Sequence, residues 1–254
     1  MTSRALMIGP DEIRIWPASL DLGERVTKRL AASLAPDELR RAARFRFDRD
    51  RDRYVVGRGL LRMLLGLVLG RSPAELEFAY TPHGKPFLAN GCDVSFNISH
   101  SGDYGLFAVA RTRDLGIDLE ELSSTAAEER VAEHFFAPRE VAALRALPRE
   151  EQPQAFLRCW TRKEAYVKAR GDGLSLPLHD FEVTLAADRR PALVHTAWSR
   201  AEPDEWSMYD VSHLCPRHVA ALAVRGRTWR ITSEHVDELD EEFFINRKEP
   251  EWHS

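Results

Sequence analysis

Cysteine is scarce: Cys92, Cys159 and Cys215 are the whole complement. They stand far apart, with neither metal-ligand spacing nor a disulfide framework, which fits a reducing compartment. Long apolar runs are missing too. The longest, residues 63–69, contains Gly66 and is far too short to span a bilayer. Residues 1–16 carry charges and no apolar segment, so no secretory signal is expected. There is no excess of positive charge either. The net charge of −4 at 30% charged residues argues against a nucleic-acid binder. These absences predict a cytoplasmic protein that engages neither membrane nor nucleic acid. What is present is 254 residues with 44% hydrophobic content, enough for one large core or two small ones.

Pattern and punctuation set the elements. Alternation at 13–16 predicts a strand, and Pro36 predicts the first turn of a helix. Residues 37–44 run on into a second helical stretch that ends near Gly70. A strand at 77–80 leads into a Pro/Gly turn at 81–86. Strands follow at 94–99, 104–110 and 115–119, the last two joined by a turn at 113–114. Helices are expected over 125–135, from Pro138 to about 147, and over 154–170 with Gly171 as C-cap. Strands return at 181–185, 192–198, 205–211 and 218–224. Helices then strands, twice, predict an α+β protein of two similar halves, 1–120 and 121–233, with an acidic extension at 234–254. No residue-level repeat is legible.

Four constellations carry chemistry. In Gly116-Ile117-Asp118-Leu119-Glu120, strand alternation puts both carboxylates on one face and Ile117 and Leu119 on the other. Two adjacent carboxylates repel unless a cation or proton lies between them. An exposed Asp-x-Glu at a strand end is also common on ordinary surfaces. In the helix Trp160-Thr161-Arg162-Lys163-Glu164-Ala165-Tyr166-Val167-Lys168, residues 160, 164 and 168 form one row. The ordinary reading of that row is a surface Glu–Lys pair. Phe96-Asn97-Ile98-Ser99-His100-Ser101-Gly102 reads as a strand ending in a polar turn, suited to an anionic oxygen. Lys85, in Gly84-Lys85-Pro86, is a plausible phosphate contact. Together they suit a magnesium–pyrophosphate site, because magnesium takes a few carboxylates, phosphate oxygens and water. Zinc would call for close His and Cys, which are absent.

The run Gly116 to Glu120, followed some forty residues later by Trp160 to Lys168, resembles the signature of the 4′-phosphopantetheinyl transferases. Gly84-Lys85-Pro86, Phe96 to Ser101, the arginine of Asp52-Arg53-Tyr54, and Gly171-Asp172-Gly173-Leu174-Ser175-Leu176-Pro177-Leu178 match further family blocks in order. Length and paired halves resemble the long, surfactin-synthetase type, a pseudo-twofold monomer. The resemblance implies transfer of 4′-phosphopantetheine from coenzyme A to a serine of an apo acyl or peptidyl carrier protein, leaving adenosine 3′,5′-bisphosphate. It implies magnesium, with manganese as an alternative, held by Asp118, Glu120 and Glu164. It makes Glu164 the base, directly or through water, and Lys168 a pyrophosphate contact. Arg53 and His100 would bind phosphates, with Lys85, Pro86 and Ser99 near the adenosine.

One position departs. Glu38 stands where some relatives carry a lysine, so Arg41 or Arg44 is expected at the 3′-phosphate. Charge complementarity to acidic carrier proteins points to basic and apolar residues around 130–149. Two other classes compete: a non-catalytic interaction protein of this fold, and a magnesium phosphohydrolase acting on a nucleotide. The complete set of three carboxylates and Lys168 weighs against the first.

Overall fold

Ala-Pro-x-Glu occurs twice, at 35–38 and 137–140, and each copy opens a helix. The proline sits where a missing N–H costs nothing. Three residues after each alanine, Glu38 and Glu140 fold back to accept the N–H of Ala35 and Ala137, both at 2.8 Å. Both glutamates are buried and ion-paired to the long helix that follows. Glu38 takes Arg58 and Arg62; Glu140 takes Lys163 at 2.8 Å, and its second oxygen accepts Val183 N–H. The two halves therefore share a residue-level device that the local sequence pattern conceals. Glu38 is thereby a structural carboxylate.

The computed structural model describes residues 6–89, 91–112, 114–122 and 127–236. The first half contains strand β1 (Glu12–Ser19), helices α1 (Gly23–Ala31), α2 (Pro36–Ala42) and α3 (Asp48–Leu69), and the short hairpin β2 (Phe78–Tyr80) and β3 (Pro86–Leu88). Strands β4 (Ser95–Ser101), β5 (Tyr104–Ala110) and β6 (Leu115–Glu121) follow. Then come α4 (Ala127–Phe135), α5 (Pro138–Ala146), α6 (Gln152–Arg170), β7 (Phe181–Val183), β8 (Leu193–Thr196), β9 (Trp206–Asp210), β10 (His218–Arg225) and β11 (Arg230–Ser233). Gly70 and Gly171 end α3 and α6 in the left-handed conformation, as glycine does most readily. The expected start of α4 at Thr125 lies outside the described residues.

The strands form one sheet in the order β11-β1-β5-β4 and another in the order β6-β10-β9. Two expectations change here. The strand at 115–121, placed with the first half, hydrogen-bonds to β10 in the second. The segment 230–233, assigned to no strand, runs parallel to β1 in the first. Beyond it, Val236 is fully buried in the first half's core, while residues 237–254 lie outside the described residues. Ile13, Ile15, Leu106 and Ala108 of one sheet meet Ile117, Leu119, Leu222 and Val224 of the other in a shared core. Helix α3 covers the outer face of the first sheet, and α6 that of the second.

Candidate active site

β6 has β10 on one side only, which leaves the hydrogen-bonding groups of its other edge to be satisfied. Side chains of β4 do this in register. Ile117, Leu119 and Glu121 donate their N–H to Asn97 Oδ1 (2.8 Å), Ser99 Oγ (3.3 Å) and Ser101 Oγ (3.0 Å). Lysine ammoniums take the carbonyls: Lys85 on Leu115 O (3.1 Å) and Lys168 on Ile117 O (3.3 Å). Asn97, Ser99 and Ser101 alternate on one face of β4, so the polar motif is a strand edge, and the turn begins only at Gly102.

The same hydroxyls aim the carboxylates. Ser99 donates to Asp118 Oδ1 at 2.9 Å, and Ser101 donates to Glu120 Oε2 at 3.1 Å. Gly116, Asp118 and Glu120 share the face of β6 that looks at α6, where Glu164 and Lys168 stand one turn apart. Lys168 Nζ donates to Asp118 Oδ1 (2.6 Å) and to Ser99 Oγ (3.0 Å). Asp118 is 3% exposed, and its Oδ2 is buried without a partner among the described residues.

The electrostatics describe a site short of positive charge. Burial raises the pKa of Asp118 most, against Lys168 and Ser99, which lower it. Burial also raises Glu120, helped by the charge of Asp118 and opposed by Ser101, Lys168 and the Trp160 indole. Glu164 is raised by burial, then by Asp118 and Glu120. No three His, Cys, Asp or Glu side chains among the described residues already converge at ligating distance. Lys168 holds one oxygen of Asp118, and the charge of Glu120 disfavours that of Glu164. An orphaned buried oxygen beside two more carboxylates is a donor set of hard oxygens that fits a magnesium-class cation.

A basic rim adjoins it. His100, exposed at the strand edge, is held below its ordinary pKa by partial desolvation, then by the cations of Lys168 and Arg53. Arg53 pairs with Asp103 in the β4–β5 turn. Its neighbour on α3, Tyr54, packs at a tilt against Phe45 (centroids 5.4 Å apart) and lies under Arg41. There a groove of about 690 Å³ opens, lined by Asp37, Arg40, Arg41, Arg44, Phe45 and Tyr80.

The expected site residues thus divide. Asp118 and Lys168 are in contact, Glu120 and Glu164 lie within reach of their charges, and the charges of Lys168, Arg53 and Asp118 act on His100. Two others serve the protein itself. Lys85 Nζ bonds Leu115 O and Ala169 O (3.0 Å), and burial lowers its pKa to about 8 against a weak opposing pull from Asp114. Its ammonium joins the halves through two of its three N–H groups. The hydroxyl of Ser99 is spent on Asp118, Leu119 and Lys168. Pro86 begins β3. Lys163, inside the helical motif, is fully buried on Glu140, Leu178 O and Phe181 O. Asn97 and Ser101 were not anticipated, although the polar alternation at 97, 99 and 101 was there to be read.

The model of the 4′-phosphopantetheinyl transferase superfamily matches residues 114–223, and that of the 4′-phosphopantetheinyl transferase N-terminal domain matches 24–112. This chain belongs to that superfamily. It is 43% identical to the 4′-phosphopantetheinyl transferase HetI of Nostoc sp. over 87% of this chain and 90% of that protein. It is 31% identical to the transferase Sfp of Bacillus subtilis over 66% of this chain and 73% of the relative. The two family models meet at 112–114, one element earlier than the junction expected near 120, in keeping with β6 joining the second sheet. As a 4′-phosphopantetheinyl transferase, the chain moves the 4′-phosphopantetheine group of coenzyme A onto a serine of a carrier protein. None of its described helices is long and apolar enough to cross a membrane.

Proposed function

We propose that Asp118, Glu120 and Glu164 hold a magnesium or manganese ion, and that the basic rim carries the coenzyme A phosphates to it. The observation behind this reading is the unpartnered, buried Oδ2 of Asp118 among three mutually repelling carboxylates. When bound, the cation supplies charge neutralisation for the pyrophosphate. Lys168 turns from Asp118 toward the phosphates and stabilises the charge of the departing adenosine bisphosphate. His100 and Arg53 orient the pyrophosphate. The groove of Arg40, Arg41 and Arg44 takes the 3′-phosphate, with Phe45 and Tyr80 beside the adenine and the backbone of Lys85 and Pro86 at its border. Glu164, its pKa raised by burial and by the charge of Asp118, accepts the proton of the carrier serine directly or through one water. The serine oxygen forms a bond to the β-phosphorus as the bond to the bridging oxygen breaks. The protein works as a cytoplasmic monomer on acyl or peptidyl carrier proteins, whose acidic helices suit the basic residues of the second half around 130–149.

The test is incubation with apo carrier protein, coenzyme A and Mg²⁺. The carrier gains the mass of one phosphopantetheine, and adenosine 3′,5′-bisphosphate appears in equal amount. Release of the bisphosphate with an unmodified carrier would mark a hydrolase instead.

The pKa directions give a second check. All three carboxylates are raised, so the folded protein binds protons at them more tightly than the unfolded chain. Their contribution to stability is full below the ordinary carboxylate range and is lost as pH rises through the raised values. A cation needs the deprotonated forms and restores what is lost. Mg²⁺ should therefore raise the unfolding midpoint more at about pH 8 than at about pH 5. Equal shifts in scanning fluorimetry at the two pH values contradict the carboxylate site.

A further inference from the structure

Helix α6 has a second charged face. Arg158 and Arg162 lie one turn apart, and Glu164 is two residues past Arg162, which puts it about 200° round the helix. The arginines therefore look away from the carboxylates. They line a cavity of about 300 Å³ together with Gln154, Arg189 from the connection between β7 and β8, and Asp210 at the end of β9.

Both guanidiniums are nearly buried, 8% and 3% exposed. Arg162 donates to Thr184 O at 2.6 Å and to the Thr184 hydroxyl at 3.2 Å, and reaches Asp210 only at 3.7 Å. Arg158 spends Nε on Leu185 O at 2.9 Å. That is its one hydrogen bond among the described residues, which leaves both terminal nitrogens to the cavity. Asp210, itself 41% exposed, is the one carboxylate lining the cavity with Arg158, Arg162 and Arg189, and Glu151 adds a second negative charge acting on Arg158. Burial holds Arg158 and Arg162 below their ordinary pKa, and the charge of Arg158 adds to the effect at Arg162. Like charges kept out of water with too little counter-charge are costly, and a bound dianion reduces that cost. Forked donors arriving from a helix face and from a loop outside it suit the several oxygens of a tetrahedral anion.

We propose that this cavity is an anion site for a phosphate or phosphate-monoester group, separate from the groove of Arg40, Arg41 and Arg44. An occupant ties the 184–192 connection and β9 to the first half of α6, the helix that carries Glu164 and Lys168 further along.

The test follows the side-chain Nε–H resonances of Arg158 and Arg162 in the full chain as inorganic phosphate is added at constant ionic strength. Saturable shifts are expected. Arg189→Gln, at an exposed position, should weaken them about tenfold through loss of one charged fork. Arg41→Gln, in the other groove, should leave them intact. Repeating the titration with adenosine 3′,5′-bisphosphate separates the sources. A lower midpoint than that of phosphate supports a nucleotide occupant, and an equal or higher one supports the free anion. Shifts that stay linear with phosphate, or that survive Arg189→Gln unchanged, overturn the assignment.

Discussion

Glu164→Ala should lower carrier loading by about a thousandfold or more, because on the proposed reading it removes a general base and a cation ligand together. The fold should not suffer. Glu164 loses more than it gains from its surroundings: burial, Asp118 and Glu120 disfavour its charge, against Lys168 alone. Without a cation, the thermal midpoint of the variant should equal or exceed that of the parent, since a source of repulsion is gone. Added Mg²⁺ should then stabilise the variant less than the parent. Turnover and thermal midpoint, measured on the same preparation, check both halves of this expectation. Near-parental turnover refutes the role, and a large drop in midpoint would mean that Glu164 is structural.

Gly116→Ala attacks the same site through the backbone. A Cβ at Gly116 would sit 2.0 Å from Ala165 O, 2.4 Å from Ala169 N and 3.0 Å from Ala169 Cα. All are atoms of α6's own backbone, so no side chain can swing aside. The helix must move off β6 by roughly an ångström or more, and overpacking of this kind costs about 3 kcal/mol or more. Glu164 and Lys168 ride on that helix, so loading should fall even at temperatures where the variant is folded. Gly57→Ala is the control. It lies within α3 with its nearest neighbour, Leu20 Cδ2, at 3.8 Å, and alanine there should add up to about 1 kcal/mol. Denaturant midpoints of the two variants should move in opposite directions. A shift of Gly116→Ala no larger than about 1 kcal/mol would mean that the contact yields easily.

Much of the site is written locally. The two-residue period of β6 puts Asp118 and Glu120 on one face, and the four-residue step of α6 aligns Glu164 with Lys168. Glycine marks the C-terminal ends of both long helices, at Gly70 and Gly171, and Pro153 the start of α6. What escapes local reading depends on distant partners. Asn97, Ser99 and Ser101 look like a strand dissolving into a turn, because inward-facing polar residues are normal only where another strand's open edge awaits them. Lys85 and Lys163 look like free cations, and only the fold supplies the carbonyls and the carboxylate that hold them. The paired capping glutamates share a short motif whose meaning appears once each is seen buried against its helix. The register of 230–233 on β1 is fixed by a partner more than two hundred residues away, which no window of sequence reveals.

That pairing has a consequence for how the chain is made. Glu12 is held by Arg14, Arg230 and Thr232, with its pKa lowered to about 2 by the Gly9 N–H and these neighbours despite burial, so the clasp persists into strong acid. On the ribosome, however, β1 and its inner partner β5 are made well before β11. Through most of synthesis the first sheet offers a bare strand edge, the part of a nascent protein most prone to pair with a neighbour on the same message. A circular permutant that begins at β11 and joins it to β1 early would close that edge at once, and should yield more soluble protein when translation is fast.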